Sequence, residues 1–172
     1  RDLKELERLA LDLRRIGRFA VDTETTSLDS LRAALVGVSV SGEEGRAHYI
    51  PVEGACFGEG LPLEDIRAIM GPLLSDAKVT KVAQNMKYDA EILERHGMPL
   101  AGPLVDSMLL SYVLDPSRRS HGLDSLALDH FAHEMIPYSA LFEKGDRQKD
   151  IRNVPLERLV DYAAEDADYT LR

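Results

Sequence analysis

The sequence predicts a single α/β domain: a central mixed sheet of about five strands, flanked by helices. Three apolar, β-branched segments follow one another within residues 18–52 with short turns between them, and two later strand-like segments alternate with helical ones. Strands joined by short turns pair antiparallel, whereas strands separated by helices pair in parallel, so one sheet of both kinds is expected. A chain of 172 residues can bury one full core.

The individual elements follow from apolar spacing and from turn and capping residues. Leucines three or four residues apart predict a first helix that Gly17 ends, and Pro62 and Pro155 open two later helices. Residues 54–60 form a Gly-rich loop, and residues 137–154 are polar and irregular. The predicted strands cover residues 18–22, 34–41, 46–52, 78–83 and 103–105. The predicted helices cover residues 2–16, 62–75, 85–96, 107–114 (with Asp106 as its N-cap), 123–133 and the stretch from Pro155 to the end.

Composition and charge exclude several classes of protein. No apolar run approaches the roughly 20 residues of a membrane crossing, so no membrane association is expected. The single cysteine, Cys56, cannot form an internal disulfide, which fits a reducing cytoplasm. A net charge of −9 excludes a protein that grips duplex DNA through a basic surface, but it leaves open an enzyme whose acids bind cations.

The two ends of the chain suggest a fragment. The sequence begins at Arg1 without a methionine, and it stops at Arg172 inside a predicted helix. It contains no internal repeat, low-complexity tract or interdomain linker. We therefore expect residues 1–172 to be one domain of a longer polypeptide.

Two acids follow the first apolar strand. Phe19-Ala20-Val21 runs directly into Asp22-Thr23-Glu24, and the two-residue period of a strand places Asp22 and Glu24 on one face. Carboxylates held this close raise each other's pKa unless a cation or a proton relieves the repulsion. Taken alone, the pair is explained better as a solvated strand end or a capped turn.

Asn85 and Asp89 form a second motif where a helix follows the fourth strand. Their spacing of four residues predicts that they share a helical face. Each residue also has a structural explanation, because Asn85 suits an N-cap and Asp89 suits the helix dipole.

The last helix carries a third motif. Tyr162 and Asp166 lie one turn apart on one face, and two alanines between them allow close packing against a neighbour. Glu165 and Asp168 point elsewhere, towards solvent or towards pairing partners. A tyrosine and an aspartate at this spacing mean little by themselves.

Together, the three motifs predict a metal site. Two acids on a strand, one on the following helix and one on the last helix can converge at one edge of the sheet. Carboxylate oxygens without histidine or cysteine are the ligands that Mg²⁺ or Mn²⁺ prefers, and they suit two ions roughly 3.5–4 Å apart beside a phosphodiester. Tyr162, with an ordinary pKa of about 10, suits the positioning of water rather than proton abstraction.

In this order, the motifs resemble those of the DEDD exonuclease superfamily, in the subtype with a tyrosine in its last motif. The chain looks most like the 3′→5′ proofreading domains of family A bacterial DNA polymerases. The matching segments are residues 21–29, 49–52, 84–89, 123–127 and 162–168. The resemblance implies a ribonuclease-H-like fold and hydrolysis of the 3′ end of single-stranded DNA to nucleoside 5′-monophosphates. It also implies a monomer in the bacterial cytoplasm, associated with the nucleoid, with a polymerase domain in the same chain.

The resemblance implies individual roles as well. Asp22, Glu24 and Asp166 would hold the tighter Mg²⁺ or Mn²⁺ ion, in a site that Zn²⁺ also fits, and Asp22 would bridge to a second ion near Asp89. Catalysis would therefore depend on these four acids and Tyr162. The residues implied in substrate binding are Thr25, Leu28, Gln84, Asn85, Tyr88 and Tyr138, of which Leu28 would wedge against the terminal bases.

Two further functions stay open. A ribonuclease D-type exoribonuclease shares the tyrosine subtype, although residues 23–28 and 49–52 favour the polymerase resemblance. A catalytically silent platform in a polymerase is the other alternative, and the presence of all four acids counts against it.

Several histidines and basic residues have weaker patterns. His130 and His133 favour a surface or packing role over metal binding, and His48 favours packing in a strand or at its edge. The family often has an arginine directly before the histidine of the 117–124 loop, where this chain has Arg118-Arg119-Ser120-His121, so the arginine that meets phosphate is not fixed. A basic cluster is either a solvated loop or a phosphate-steering patch: Lys144, Arg147, Lys149 and Arg152.

Overall fold

A five-stranded sheet forms the centre of the computed structural model, which describes residues 2–54, 60–143 and 149–172. The strands are β1 (Arg18–Thr25), β2 (Leu35–Glu43), β3 (Arg46–Pro51), β4 (Thr80–Ala83) and β5 (Leu104–Asp106). The helices are α1 (Leu3–Ile16), α2 (Leu63–Leu74), α3 (Met86–Arg95), α4 (Ser107–Leu114), α5 (Leu123–Phe131) and α6 (Leu156–Leu171). Two 3₁₀ turns cover Tyr138–Leu141 and Ile151–Asn153.

The strand pairing confirms the predicted mixed sheet. The order is β3-β2-β1-β4-β5, with β1 in the middle. β1 pairs antiparallel with β2, and β2 with β3, through a tight turn in which Gly45 takes a φ of +74°. β1 pairs in parallel with β4, and β4 with β5, because helices α2 and α3 separate these strands along the chain.

Two boundaries differ from the prediction in ways that affect the site. β1 continues to Thr25, three residues beyond the predicted end, so both acids of the first motif lie within the strand. Helix α3 begins at Met86, and Asn85 precedes it in a left-handed conformation with a φ of 61°. The predicted shared face of Asn85 and Asp89 is therefore wrong: Asn85 is exposed outside the helix, whereas Asp89 is buried.

Helices cover both faces of the sheet. α1, α2 and α3 contribute to the main core with the strand residues Phe19, Val21, Val38 and Val40. A second cluster joins Leu159 of α6 to Val36, Leu141, Ile151 and Val154. The stretch predicted as polar and irregular thus supplies three buried side chains, which dock it against α6. The sheet lies between the two helical layers, and β1 is its central strand.

Helix α4 is short and lies outside both cores. None of its side chains is buried, and its apolar residues Leu109, Tyr112 and Val113 are more than half exposed. Among the described helices, none combines the length and the apolar character needed to cross a membrane.

Candidate active site

Three carboxylates meet beside the last residues of the central strand. Asp22 and Glu24 of β1 and Asp166 of α6 each place one carboxylate oxygen within 4.8 Å of the other two. Glu24 is buried, and the two aspartates are partly exposed. The structure therefore brings together three of the four acids that the motifs predict, at a point that solvent reaches.

The local sequence explains why these three side chains converge. Alternate residues of a strand point to the same face, so Asp22 and Glu24 both face the layer that contains α6. Ala163 and Ala167 of α6 are completely buried, and their small side chains allow the helix backbone to approach the sheet. Asp166 lies between them in the sequence and reaches the strand acids.

The fourth acid, Asp89, comes from α3 in the opposite layer. It is 2% exposed, and its Oδ1 accepts hydrogen bonds from the backbone N of Thr23 at 3.0 Å and from the Thr23 hydroxyl at 2.6 Å. The last recorded pair between β1 and β4 is Ala20 with Val82, so Thr23 lies beyond the partner strand. Asp89 thus accepts the hydrogen bond from the Thr23 backbone N that a longer β4 would have accepted. Its carboxylate therefore lies at the edge of β1, close to the other acids.

Burial raises the pKa of all four acids, and repulsion from Asp22 raises those of Glu24, Asp89 and Asp166 further. Burial raises the pKa of Asp22 from 3.8 to about 6. Burial, followed by the charge of Asp22, raises the pKa of Asp166 to about 8 and raises those of Glu24 and Asp89 well above their usual range. Among the described residues, no ion pair reaches any of the four.

Asp22 is the common electrostatic neighbour of the cluster. Its charge acts on Glu24, on Asp89 and on Asp166. Near neutral pH, acids in this arrangement either take up protons or bind a cation. Because every donor is a carboxylate oxygen, the residues fit a divalent cation such as Mg²⁺ or Mn²⁺.

Tyr162 stands next to this cluster. Burial, followed by the negative charge of the neighbouring Asp166 carboxylate, raises the pKa of the phenol far above its ordinary value. The phenol therefore stays protonated at any working pH. It can orient a water molecule by hydrogen bonding, and it cannot serve as the base.

The turn after β1 carries the predicted wedge. Leu28 is 96% exposed, an unusual position for a leucine. The turn beneath it is fixed, because the Tyr88 hydroxyl donates to the Ser27 carbonyl and contacts the Thr25 hydroxyl. Arg95 of α3 donates to the carbonyls of Ser30 and Ala33. Leu28 is thus presented to solvent from an anchored loop. The hydroxyl groups of Thr25 and Tyr88, which were predicted to bind substrate, form hydrogen bonds that hold this loop.

Gln84 and Asn85 differ in their availability. The Gln84 amide donates to the His121 carbonyl at 2.8 Å and accepts from Ser107, so its polar atoms are already satisfied. Asn85 makes no capping bond with its side chain, which is exposed. Its backbone N donates to Asp106, the residue that also caps α4 as predicted. Of the two, Asn85 is the one whose side chain has no hydrogen-bond partner in the described part of the chain.

The arginines of the 117–122 loop have different environments. Arg118 pairs with Asp129 at 2.5 Å and is mostly covered. Arg119 is exposed and has no ion pair or hydrogen bond among the described residues. On the other side, the Tyr138 ring lies 6.2 Å from the Tyr162 ring, edge on. Of these two arginines, Arg119 is therefore the one whose side chain has no partner among the described residues.

Only part of the predicted basic cluster lies among the described residues. Arg152 is committed to the Asp150 carboxylate through both Nε and Nη2, and Lys149 lies 5.9 Å from the centre of the Phe142 ring. Lys144 and Arg147 lie outside the described residues, as does Cys56.

Comparison with known proteins gives the family. The family model described as 3′-5′ exonuclease matches residues 1–172. The chain belongs to the 3′-5′ exonuclease family. It is 41% identical over 174 residues to DNA polymerase I of Pseudomonas aeruginosa, a match that covers 99% of this chain and 18% of that protein. The chain therefore spans about a fifth of the length of that curated relative.

Solved structures share the fold of this exonuclease-family chain. Escherichia coli RNase D superposes with a TM-score of 0.72 at 21% identity, over 98% of this chain and 40% of that one. Brucella melitensis NrnC with bound Mg²⁺ superposes with a TM-score of 0.71 at 22% identity, over 94% of this chain and 72% of that one. These likenesses confirm the predicted ribonuclease-H-like fold.

Other polar residues of this exonuclease-family chain serve the scaffold. Glu165 accepts from His133 Nε2 at 2.7 Å and from the backbone N of Ile136, and Asp168 accepts from the backbone N of Gly45 and from Arg172. The pairing role considered for these two acids is confirmed, and the solvated one is wrong. Sequence reasoning missed Thr23 altogether, because nothing in the sequence shows where β4 ends beside β1.

Proposed function

We propose that the chain is a cation-dependent 3′→5′ exodeoxyribonuclease, a single domain that proofreads within a bacterial DNA polymerase I. The observation that carries the proposal is the carboxylate cluster of Asp22, Glu24 and Asp166 with Asp89 beside it, in which no basic side chain of the described residues compensates the charge. A cluster of this kind favours divalent cations, and the proposed ions are two Mg²⁺ or Mn²⁺, with Zn²⁺ as an alternative at the tighter site.

The residues have separate tasks in this reaction. Two divalent ions bound here would activate a water molecule and stabilise the departing 3′ oxygen. Asp22, Glu24 and Asp166 supply the oxygens of one ion site, and Asp22 and Asp89 flank the other. Tyr162 stays protonated beside Asp166 and orients the attacking water. The products are nucleoside 5′-monophosphates.

The surroundings of the acids suit the end of a single strand. Leu28 projects from its anchored loop as an apolar surface against which terminal bases can stack. Arg119 is the free cation for the phosphate backbone, and Asn85, Tyr88 and Tyr138 line the approach. Gln84 supports the substrate approach indirectly, because its side-chain amide donates to the His121 carbonyl and so holds the 117–122 loop.

DNA is the proposed substrate because of the relatives. Identity of 41% to a DNA polymerase I exceeds the 21% identity to RNase D, an exoribonuclease involved in structured RNA processing. The proposal includes a polymerase domain in the same chain, a monomeric state and a nucleoid-associated place in the bacterial cytoplasm.

Release of mononucleotides from a 5′-labelled single strand tests the proposed reaction. We expect activity with Mg²⁺ or Mn²⁺, none with EDTA, and a loss of at least about 10³-fold in Asp22→Asn, because the site loses its shared ligand. Asp161→Asn is the matched control, since Asp161 is an exposed acid on α6, one turn and a residue before Asp166. Full activity in Asp22→Asn would overturn the assignment.

Matched RNA and DNA strands test the substrate. A higher rate on DNA is expected, and a large preference for RNA would instead make the chain a ribonuclease D-type enzyme. Titration of the wild-type chain with Mn²⁺ by calorimetry tests the silent-platform alternative. Absence of binding up to millimolar concentrations would support that alternative.

A further inference from the structure

Thr23 lies between the two strand acids but points away from them. It pairs in register with Val38, a residue of the main core, so its side chain is on the face covered by α1, α2 and α3. It is 7% exposed. Its neighbours Asp22 and Glu24 face the opposite layer, which leaves Thr23 with no direct access to their carboxylates.

The polar atoms of Thr23 have one partner in common. The backbone N donates to Asp89 Oδ1 at 3.0 Å and the hydroxyl donates to the same oxygen at 2.6 Å. Two donors from one residue fix both the position of this oxygen and the direction from which it is approached. Asp89 is thereby tied to the strand that carries the other acids, rather than only to its own helix.

This link matters because Asp89 does not belong to the group of three oxygens within 4.8 Å. It approaches the cluster from the opposite layer, and α3 begins only three residues before it. Without an anchor, the Asp89 side chain could exchange between rotamers. A side chain that binds the second ion must be held in a single rotamer.

We propose that Thr23 is a positioning residue for the second cation: its hydroxyl fixes the Asp89 carboxylate, which α3 brings to the edge of β1 from the opposite layer. The inference rests on the proposed function, because it assumes that the four acids bind divalent ions. It assigns the middle residue of Asp22-Thr23-Glu24 to the fourth acid, so that one strand segment organises all four ligands.

Calorimetric titration of the whole chain with Mn²⁺ tests the inference. Thr23→Val keeps the size of the side chain and the backbone N but removes the hydroxyl. We expect the first ion to bind as in the wild type and the second to bind about tenfold more weakly or worse. Thr23→Ser, which retains the hydroxyl, should restore the second ion. Thr170→Val is the matched control, since the Thr170 hydroxyl is buried on α6 and has no hydrogen-bond partner among the described residues.

Kinetics provide a readout that general destabilisation would not reproduce. In Thr23→Val, the Mn²⁺ concentration for half-maximal rate should rise about tenfold, with the KM for a DNA oligonucleotide nearly unchanged. Thr23→Ala, which places no methyl group against the carboxylate, is the second variant should the valine impair folding. In an Asp89→Asn background, Thr23→Val should weaken Mn²⁺ binding no further, because both changes act through the same carboxylate.

Two results would overturn the inference alone. In the first, Thr23→Val and Thr23→Ala bind two Mn²⁺ ions as the wild type does. In the second, Thr23→Ser loses the second ion as fully as Thr23→Val does. A wild-type chain that neither binds Mn²⁺ nor releases nucleotides would instead overturn the proposed function, and this inference with it.

Discussion

The carboxylate cluster should destabilise the fold when no cation is present, and Asp22→Asn should relieve part of that cost. Asparagine preserves the shape of the side chain and removes the charge that acts on Glu24, Asp89 and Asp166. A carboxylate with a raised pKa stabilises the folded state below its unfolded pKa, and this contribution is lost as the pH rises through the folded value. For Asp22, the loss begins above 3.8 and is complete above about 6.

The size of the effect follows from the pKa of Asp22. The rise from 3.8 to about 6 corresponds to about 3 kcal/mol between pH 4 and pH 8. In EDTA at pH 8, Asp22→Asn should therefore be more stable than the wild type by up to about 3 kcal/mol, or about 1–2 M in the urea midpoint. At pH 4 the two should be nearly equal, because the wild-type carboxyl is then largely protonated.

Urea unfolding followed by circular dichroism measures this difference. Asp161→Asn should stay within about 0.5 kcal/mol of the wild type at both pH values, because Asp161 is exposed. Millimolar Mn²⁺ should reverse the order at pH 8, since only the wild type gains full binding energy from the ion. An asparagine variant that is no more stable than the wild type in EDTA at pH 8 would refute the electrostatic reasoning.

Three other substitutions test separate parts of the site. Tyr162→Phe should lower kcat by about 10²-fold and leave Mn²⁺ binding intact, because the hydroxyl orients water and does not bind the ion; a lost ion in calorimetry would contradict this role. Arg119→Ala should raise the KM for single-stranded DNA most strongly at low salt, whereas Arg118→Ala should leave KM unchanged, and equal effects would refute the assignment of Arg119. Asp106→Ala should cost about 2 kcal/mol in urea unfolding, since the carboxylate accepts amide hydrogen bonds at the starts of both α3 and α4. A cost below about 0.5 kcal/mol would exclude this double capping role.

Local patterns were sufficient to predict most of the architecture. The sheet follows from alternating apolar segments and from the spacing between them, and the common face of Asp22 and Glu24 follows from strand periodicity. Helical spacing likewise predicts that Tyr162 and Asp166 share a face, and the charge of Asp166 acts on the Tyr162 phenol. These properties depend on neighbours within a few residues, which the sequence displays directly.

Properties that depend on distant residues could not be predicted in this way. Asn85 falls outside α3 because its backbone is left-handed, and its backbone N donates to Asp106, which lies 21 residues later. Asp89 bonds to Thr23 across 66 residues, in a gap that opens only because β4 is shorter than β1. Asp168 is buried rather than solvated because the turn at Gly45 docks on it. Each of these contacts requires the assembled fold.

Anomalous diffraction from crystals soaked in Mn²⁺ shows directly whether the four acids bind divalent cations. We expect a strong peak beside Asp22, Glu24 and Asp166, and a second peak between Asp22 and Asp89. In Asp22→Asn crystals, both peaks should weaken or vanish. Soaked wild-type crystals with no manganese at these four acids would contradict the account.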